Sequence, residues 1–409
     1  MKTIIKIAWR NVWRNRLRSG VVFGSVVIGI WAGLFVVAMS QGMLAQQKRG
    51  MLESQISNIQ IHADSYLADP KLENCIPPNE LANIETVIAS APEVKHFVKR
   101  SITMGTGTTA SGFSNLKIMG IDPEKEKETT TISERLLSGS YFTTFKNKPV
   151  LIGRELADEL NLEVGKSLNL SFQNINGEFV QAGFKVEGIF ATPSLQYDKS
   201  NLFILQSDFM ELVEADAEMI HEYAIVIDDL EKSTAVSESI NQKINGAKAQ
   251  DWAEIAPDIS YMDEASELGQ NIILVIIVFA LAFGIVNTML MAVLERKREL
   301  GMLLCIGMNK TSVFLMIMIE TICLSVIAAP IGLMLAWGTI TYFGIVGINL
   351  ESVGDALYKA GIDSMVFTAI DPWAYVTITI FILIASIIAA IVPARKALKY
   401  NPAEAVRAV

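Results

Sequence analysis

The sequence predicts an α-helical membrane protein with four transmembrane helices and a large α+β extracytoplasmic domain inserted between helices 1 and 2. Three observations carry that prediction. The chain has 409 residues, is 51% hydrophobic and has a mean hydropathy of +0.37, too apolar for an ordinary soluble domain. Four apolar runs of span length account for the excess: 21–41, 269–294, 312–346 and 373–393. Between the first two lies a long segment, 42–268, in which short strand and helix patterns alternate.

Residues 1–20 read as an interfacial helix. Ile5, Ala8, Trp9, Val12 and Trp13 form an apolar face, and Lys6, Arg10, Arg14 and Arg18 recur every four residues beside it. The same residues also suit a plain cationic flank with no fixed structure. The run 21–41 carries no charge and reaches about 31 Å as a helix, one hydrocarbon core. Its length, and the lack of a small-x-small site after it, favour a retained span over a cleaved signal.

A polar helical pattern over Gln41–Glu53 extends the first span outward as a stalk. In the domain that follows, strands are expected at 57–63, 94–99, 101–109, 115–120, 201–205 and 223–227. Helices are expected at 81–91, 153–160, 207–213 and 233–244. Residues 168–174 and 178–190 suggest a hairpin across a two-residue Asn176-Gly177 turn. A helix from about Met262 runs into the second span. The third run is about 52 Å if wholly helical, so it tilts, kinks at Pro330 or leaves the membrane. A short loop, 347–372, precedes the fourth span, and a basic tail, 394–409, ends the sequence.

Charge sets the orientation. Residues 1–20 hold six basic residues and no acid, and the segments 295–311 and 394–409 hold four basic residues each. Four spans place these three segments on one side, which is therefore cytoplasmic. Segment 42–268 carries a net −16 and lies outside, which gives no support to nucleic-acid binding. The chain is thus expected in an inner (cytoplasmic) membrane with both termini cytoplasmic.

Enzymatic signatures do not emerge. Val164-Gly165-Lys166-Ser167 mimics the end of a phosphate loop, but Leu160 stands where its first glycine belongs. His62, His96 and His221 are scattered without ligand spacing, so no metal is expected. Cys75, Cys305 and Cys323 have no pairing partner on a common oxidising side. Glu320, about two turns into the third span, costs several kcal/mol in lipid unless it faces protein or water. It serves either function or packing.

The most informative stretch is 294–311. Five consecutive charged residues, Glu295–Glu299, form an elbow, a small amphipathic helix follows over Leu300–Ile306, and Gly307 and Asn309 break it. Such a segment suits a docking soluble partner, and equally a simple connector with flanking charges.

Glu295-Arg296-Lys297-Arg298-Glu299-Leu300-Gly301 followed by Gly307 resembles the coupling segment of FtsX/MacB-type (type VII) ABC transporter permeases. So do Met318-Ile319-Glu320 with Pro330-Ile331-Gly332, the tail Val392-Pro393-Ala394-Arg395-Lys396-Ala397 with Asn401-Pro402-Ala403-Glu404-Ala405-Val406-Arg407, and the N-terminal Ala8–Arg16 stretch. The set, in this order, covers essentially the whole chain. Ala328-Ala329 departs from the glycine pair many members carry there.

The resemblance implies mechanotransmission. Two permease chains, identical or related, pair in the membrane, two copies of a separate cytosolic ATPase bind ATP and Mg, and their closure is relayed to the outer domains. The chain itself is then not an enzyme and needs no cofactor. It also implies ATPase coupling by Glu295, Arg296, Arg298, Glu299, Leu300, Gly301, Leu303, Leu304 and Gly307. Among such permeases it is similar to the lipoprotein-releasing ones. That likeness implies a substrate cavity near Phe35, Met39, Met43, Ile272 and Ile276, residues that equally suit plain span packing. It also implies a loop for a periplasmic lipoprotein carrier around Pro193, Tyr197 and Asp198, where an ordinary crossover loop fits as well. The alternative function is a non-transporting FtsX-like regulator of a periplasmic cell-wall hydrolase.

Overall fold

The computed structural model describes residues 2–14, 16–143, 148–215, 217–359 and 364–398. The chain forms two compact units. One takes Met1–Ala45, Glu264–Leu350 and Met365–Val409; the other takes Gln46–Asp263 and Glu351–Ser364.

The first unit is helical. A surface helix, Lys2–Arg14, precedes the first long helix, Arg16–Met51. The others are Pro257–Glu295, the short elbow helix Lys297–Cys305, Lys310–Val346 and Pro372–Ala397. Four of these contain stretches long and apolar enough to cross a membrane. Pro330 is accommodated inside one continuous third helix. The side-chain oxygens of Asn309 and Asp371 start the third and fourth helices by accepting from the amides of Thr311 and Trp373.

Lipid is as apolar as leucine, so these helices are held by close approach and by hydrogen bonds. Ile30 and Leu34 of the first span, Ala328 and Ala336 of the third, and Ile378 and Ala390 of the fourth share one buried cluster. A Cβ at Gly332 would come within 3.0 Å of Ile30 and of the Val27 carbonyl, so the first and third helices meet there backbone to backbone. Trp31 donates to Thr339 across 3.1 Å, and the hydroxyls of Ser325 and Ser386 lie 2.9 Å apart. The second span differs. Only 11% of its most apolar window is buried within the chain.

The second unit is an α/β domain. Its strands are β1 Ile59–Ala63, β2 Val94–Thr109, β3 Gly112–Ile121, β4 Leu136–Gly139 and β5 Pro149–Gly153, then β6 Ser167–Gln173, β7 Phe179–Phe190, β8 Asn201–Leu205, β9 Glu222–Ile227 and β10 Ala247–Asp251. They run in the order β10-β1-β9-β2-β3-β8-β5-β7-β4, with β6 pairing β2 and β7. The β3–β8 and β5–β7 pairs are parallel and the rest antiparallel. One core gathers Ile59, Ile61 and Ile225 with Ile84, Ile88, Val236 and Ile240 of two covering helices. A second gathers Ile118, Ile152, Leu170 and Val186 with Leu156 and Phe209.

Several local expectations need correction. The separate strands at 94–99 and 101–109 are one strand, β2, because Arg100 between them points inward and is fully paired. The β6–β7 hairpin forms, but its loop is 174–178 rather than two residues. Asn174 closes it by accepting from the amides of Asn176 and Glu178, and Gly177 supplies the positive φ of 78°. Strands β4, β5 and β10 and the helix Pro123–Thr129 were not expected from the pattern.

Arg100 is 1% exposed. It donates to Glu126 at 2.6 and 3.0 Å and to Glu222 at 2.5 Å. Burial opposes its charge, but the two carboxylates prevail and raise its pKa above the usual arginine value. Burial likewise opposes the charge on Glu222, yet Arg100 and the His62 hydrogen bond hold its carboxyl below the usual range. Arg100→Ala would strand both carboxylates in the core. The expected loss is about 3–5 kcal/mol, read as a lower denaturant midpoint for the full chain. An unchanged midpoint would remove Arg100 from this role.

Candidate coupling site

The elbow helix Lys297–Cys305 is built to stop short. Gly307 takes φ +97°, and the amides of Gly307 and Met308 close on the carbonyls of Leu304 and Leu303. Asn309 then starts the third span. This fixes the elbow helix at the end of that span, as the glycine and asparagine in the sequence suggest.

Its charges are not all presented outward. Arg296 is the hub. Its Nη1 lies 3.1 Å from Glu320 in the third helix, and its Nε lies 3.2 Å from Glu299. Glu299 in turn pairs with Arg14 of the surface helix. Four charges thus run Arg14–Glu299–Arg296–Glu320 and tie three helices together. Burial works against the Glu299 charge, but hydrogen bonds from Arg14 and Arg296 outweigh it and hold its pKa below the usual carboxylate value. Glu320 is buried, and its charge is answered by Arg296. Val12 packs in the same core as Leu300, Val313 and Ile317, so the surface helix is seated and not loosely attached.

The expected coupling residues therefore divide. Arg296, Glu299, Leu300 and Gly301 face inward or are engaged within the chain, a correction to their expected role as direct docking groups. Leu303 and Leu304 are half-buried against the bundle core. Glu295 and Arg298 are exposed. The bare apolar residues are ones the sequence reading passed over: Met302, Cys305 and Ile306, the last 85% exposed. Arg298, Met302, Cys305 and Ile306 recur at four-, seven- and eight-residue offsets, and so share one face. That offset pattern was the available signal.

The expected cavity residues are not brought together as a lining. Phe35 stacks on Trp31 and meets Phe343 edge-on, with ring centroids 6.1 and 5.9 Å away. The packed side of the second span is Leu274, Val278, Leu281, Ile285 and Met289. Ile272 and Ile276 lie on its other side, each 62% exposed. Met39 and Met43 are half-buried. The expected carrier loop is also reassigned. Its core is a short helix, Leu195–Ser200, in which Asp198 is fully buried, and Pro193 before it is buried too. The Tyr197 hydroxyl is buried without a hydrogen-bond partner. These three residues build the domain and are not an exposed docking edge.

Asp198 accepts from the Thr192 amide at 2.9 and 3.1 Å, from the Thr192 hydroxyl at 2.7 Å and from Tyr358 at 2.7 Å. Burial nonetheless dominates and pushes its pKa up to about 6. His221 is held neutral by burial, its pKa lowered to about 4. Its Nδ1 accepts from the Ile102 amide and its Nε2 faces the Leu72 carbonyl, which leaves no lone pair for a metal.

The tail motif from Asn401 to Arg407 lies outside the described residues. Within them, Pro393, Ala394 and Ala397 are buried at the end of the fourth helix.

Two family models match the chain. Residues 19–243 match the MacB-like periplasmic core domain, and residues 271–402 match the FtsX-like permease C-terminal domain. The ABC transporter permease YvrN of Bacillus subtilis strain 168 is 24% identical, over 98% of either chain. The lipoprotein-releasing system transmembrane protein LolC of Xylella fastidiosa strain 9a5c is 22% identical, over 70% of this chain and 72% of its own. The pyoverdine export ATP-binding/permease protein PvdT of Pseudomonas fluorescens strain Pf0-1 is 24% identical over 89% of this chain, which spans 56% of that protein. Among solved structures, the periplasmic region of MacB from Actinobacillus actinomycetemcomitans aligns at 12% identity with a TM-score of 0.35, over 51% of this chain and 95% of its own.

Two outcomes follow from the site. Arg296→Gln removes the guanidinium that pairs with Glu320, and adding Glu320→Gln restores much of the lost stability. A double-mutant cycle on thermal unfolding in detergent reads this as a coupling of about 1–3 kcal/mol, and additivity would refute the pairing. Asp198 binds its proton more tightly folded than unfolded, where its pKa is about 3.9. Its contribution to stability is therefore full below about pH 4 and falls as pH rises through about 6. The stability of Asp198→Asn relative to the parent should rise across that window and level off above it. A flat difference from pH 4 to 7 would contradict the assignment.

Proposed function

Because the chain belongs to the FtsX/MacB-type ABC transporter permeases, we propose that it carries force from a separate cytosolic ATPase to its extracytoplasmic α/β domain. In this reading two such chains pair in the inner membrane, and two ATPase copies hold ATP and Mg and perform the hydrolysis. The substrate is a lipoprotein or another amphipathic molecule taken from the outer leaflet.

One observation carries the proposal. The elbow helix is braced on one face by the Arg14–Glu299–Arg296–Glu320 chain and bare on the other, at Arg298, Met302, Cys305 and Ile306. A short helix with an apolar face and a flanking cation is suited to a groove on a soluble partner. A face that bears load must also be fixed to what it moves, and the ion-pair chain fixes it to the third span. The basic excess of 1–20, 295–311 and 394–409 supports a cytoplasmic placement for that face. The weakly buried second span offers its apolar side, with Phe279 and Phe283, to lipid or to a second permease chain. The names of the LolC and PvdT relatives refer to lipoprotein release and pyoverdine export, which supports an amphipathic cargo.

Affinity purification of the full chain in mild detergent tests this. The wild-type chain should retain an ATP-binding subunit. Met302→Glu with Ile306→Glu should insert normally but reduce the recovered ATPase by about ten-fold or more, the cost of two charges in an apolar groove. Undiminished recovery would overturn the docking face. Recovery of a cell-wall hydrolase on the α/β domain, without lipidated cargo, would favour regulation over transport.

A further inference from the structure

The segment between the third and fourth spans divides unexpectedly. Its ends, Ile348–Asn349 and Met365–Val366, pair as a short two-stranded ribbon within the helical unit. Residues 351–364 instead belong to the α/β domain. We propose that this segment is a strap that delivers movement of the third and fourth spans to the α/β domain through an anchor formed by Tyr358 on Asp198. The inference rests on the ATP-driven reading above and adds a second route beside the stalk that extends the first span.

The anchor is specific. Tyr358 sits in the short helix Gly354–Lys359 and donates its hydroxyl to Asp198 at 2.7 Å. Asp198 is fully buried and is held in turn by the amide and hydroxyl of Thr192, at the end of β7. Gly153, at the end of β5, lies against the Asp198 backbone so closely that a Cβ there would overlap it. The Arg154 guanidinium stands 4.6 Å from the centroid of the Tyr358 ring. One tyrosine is therefore tied to a buried carboxylate that sits beside the ends of two adjacent strands, β5 and β7.

At Glu351–Gly354 the strap does not lie flat on the domain. A cavity of about 820 Å³ separates Glu351–Gly354 from Arg135, Leu136 and Pro193. A segment packed flat would transmit force along its whole length. One that spans a cavity and is tied at a buried carboxylate concentrates force at the tie. The tie leads to β5 and β7, which pair with each other and join β8 and β4, so a pull there enters the sheet near its β4 margin.

Hydrogen–deuterium exchange on the full chain, alone and with its co-purified ATPase, tests this. In the chain alone, amides of 351–359 should exchange about ten-fold faster in Tyr358→Phe than in wild type, the loss of one hydrogen bond to a buried carboxylate. Tyr358→Phe removes only a hydroxyl, and Arg154→Gln provides a second, milder loosening of the same ring. With the ATPase and vanadate-trapped nucleotide, wild type should change exchange both at the span ends, 343–350 and 365–371, and at 190–200. In Tyr358→Phe the response at the span ends should persist while that at 190–200 is lost. Equal strap exchange in all three proteins, or a full response at 190–200 in Tyr358→Phe, overturns the strap alone. No nucleotide response anywhere in the wild-type complex overturns the ATP-driven reading and the strap with it.

Discussion

A carboxylate inside a membrane helix is costly unless it is paired, hydrogen-bonded or wet, and here the pairing shapes one end of the helical unit. Glu320 finds Arg296. A guanidinium has more donors than one carboxylate can use, so Arg296 also reaches Glu299, and Glu299 takes Arg14. The result is a line of alternating charges that sets where the elbow helix sits and which face it turns inward. Leu300 and Gly301 follow it into the interior, while Met302 and Ile306 are left outside. The intramembrane acid and the coupling elbow, two separate features of the sequence, are one structure.

The α/β domain solves a similar problem the same way. Arg100 stands between Glu126 and Glu222 as Arg296 stands between Glu299 and Glu320. In both places a planar cation stands between two carboxylates, 26 and 122 positions away for Arg100 but only 3 and 24 for Arg296. The settings differ in access to water. Arg100 is 1% exposed and its loss is a matter of stability, whereas the Arg14 end of the elbow line is open to solvent. Exposed pairs contribute little to stability by themselves. The weight of that line lies at its buried end.

The fold class could be read from the sequence because lipid permits few alternatives. Uncharged runs of span length must be helices, and 1–20, 295–311 and 394–409 are basic enough to set the topology. The hairpin, the stop at Gly307 and the start at Asn309 were equally readable, since each depends on chemistry within a few residues. What escaped was set by distance. Arg14 and Glu299 lie 285 positions apart, and no local pattern announces that they meet. That Ile272 and Ile276 lie away from the packed side could not be read, because a helix apolar all round has no periodicity to show which face is packed. Asp198 looked like a loop acid because nothing nearby reveals that Gly153 and Thr192 close over it. Strand β2 looked like two strands because a charged residue in mid-strand normally marks an exposed edge.

That long strand has a structural consequence of its own. Val94–Arg100 pairs with β9, and Ser101–Thr109 pairs with β3 and, toward its tip, β6, so one backbone belongs to both halves of the domain. Two cores threaded on the same crossbar share one continuous strand. A tilt imposed on one half of the sheet therefore reaches the other through continuous paired backbone rather than through a linker.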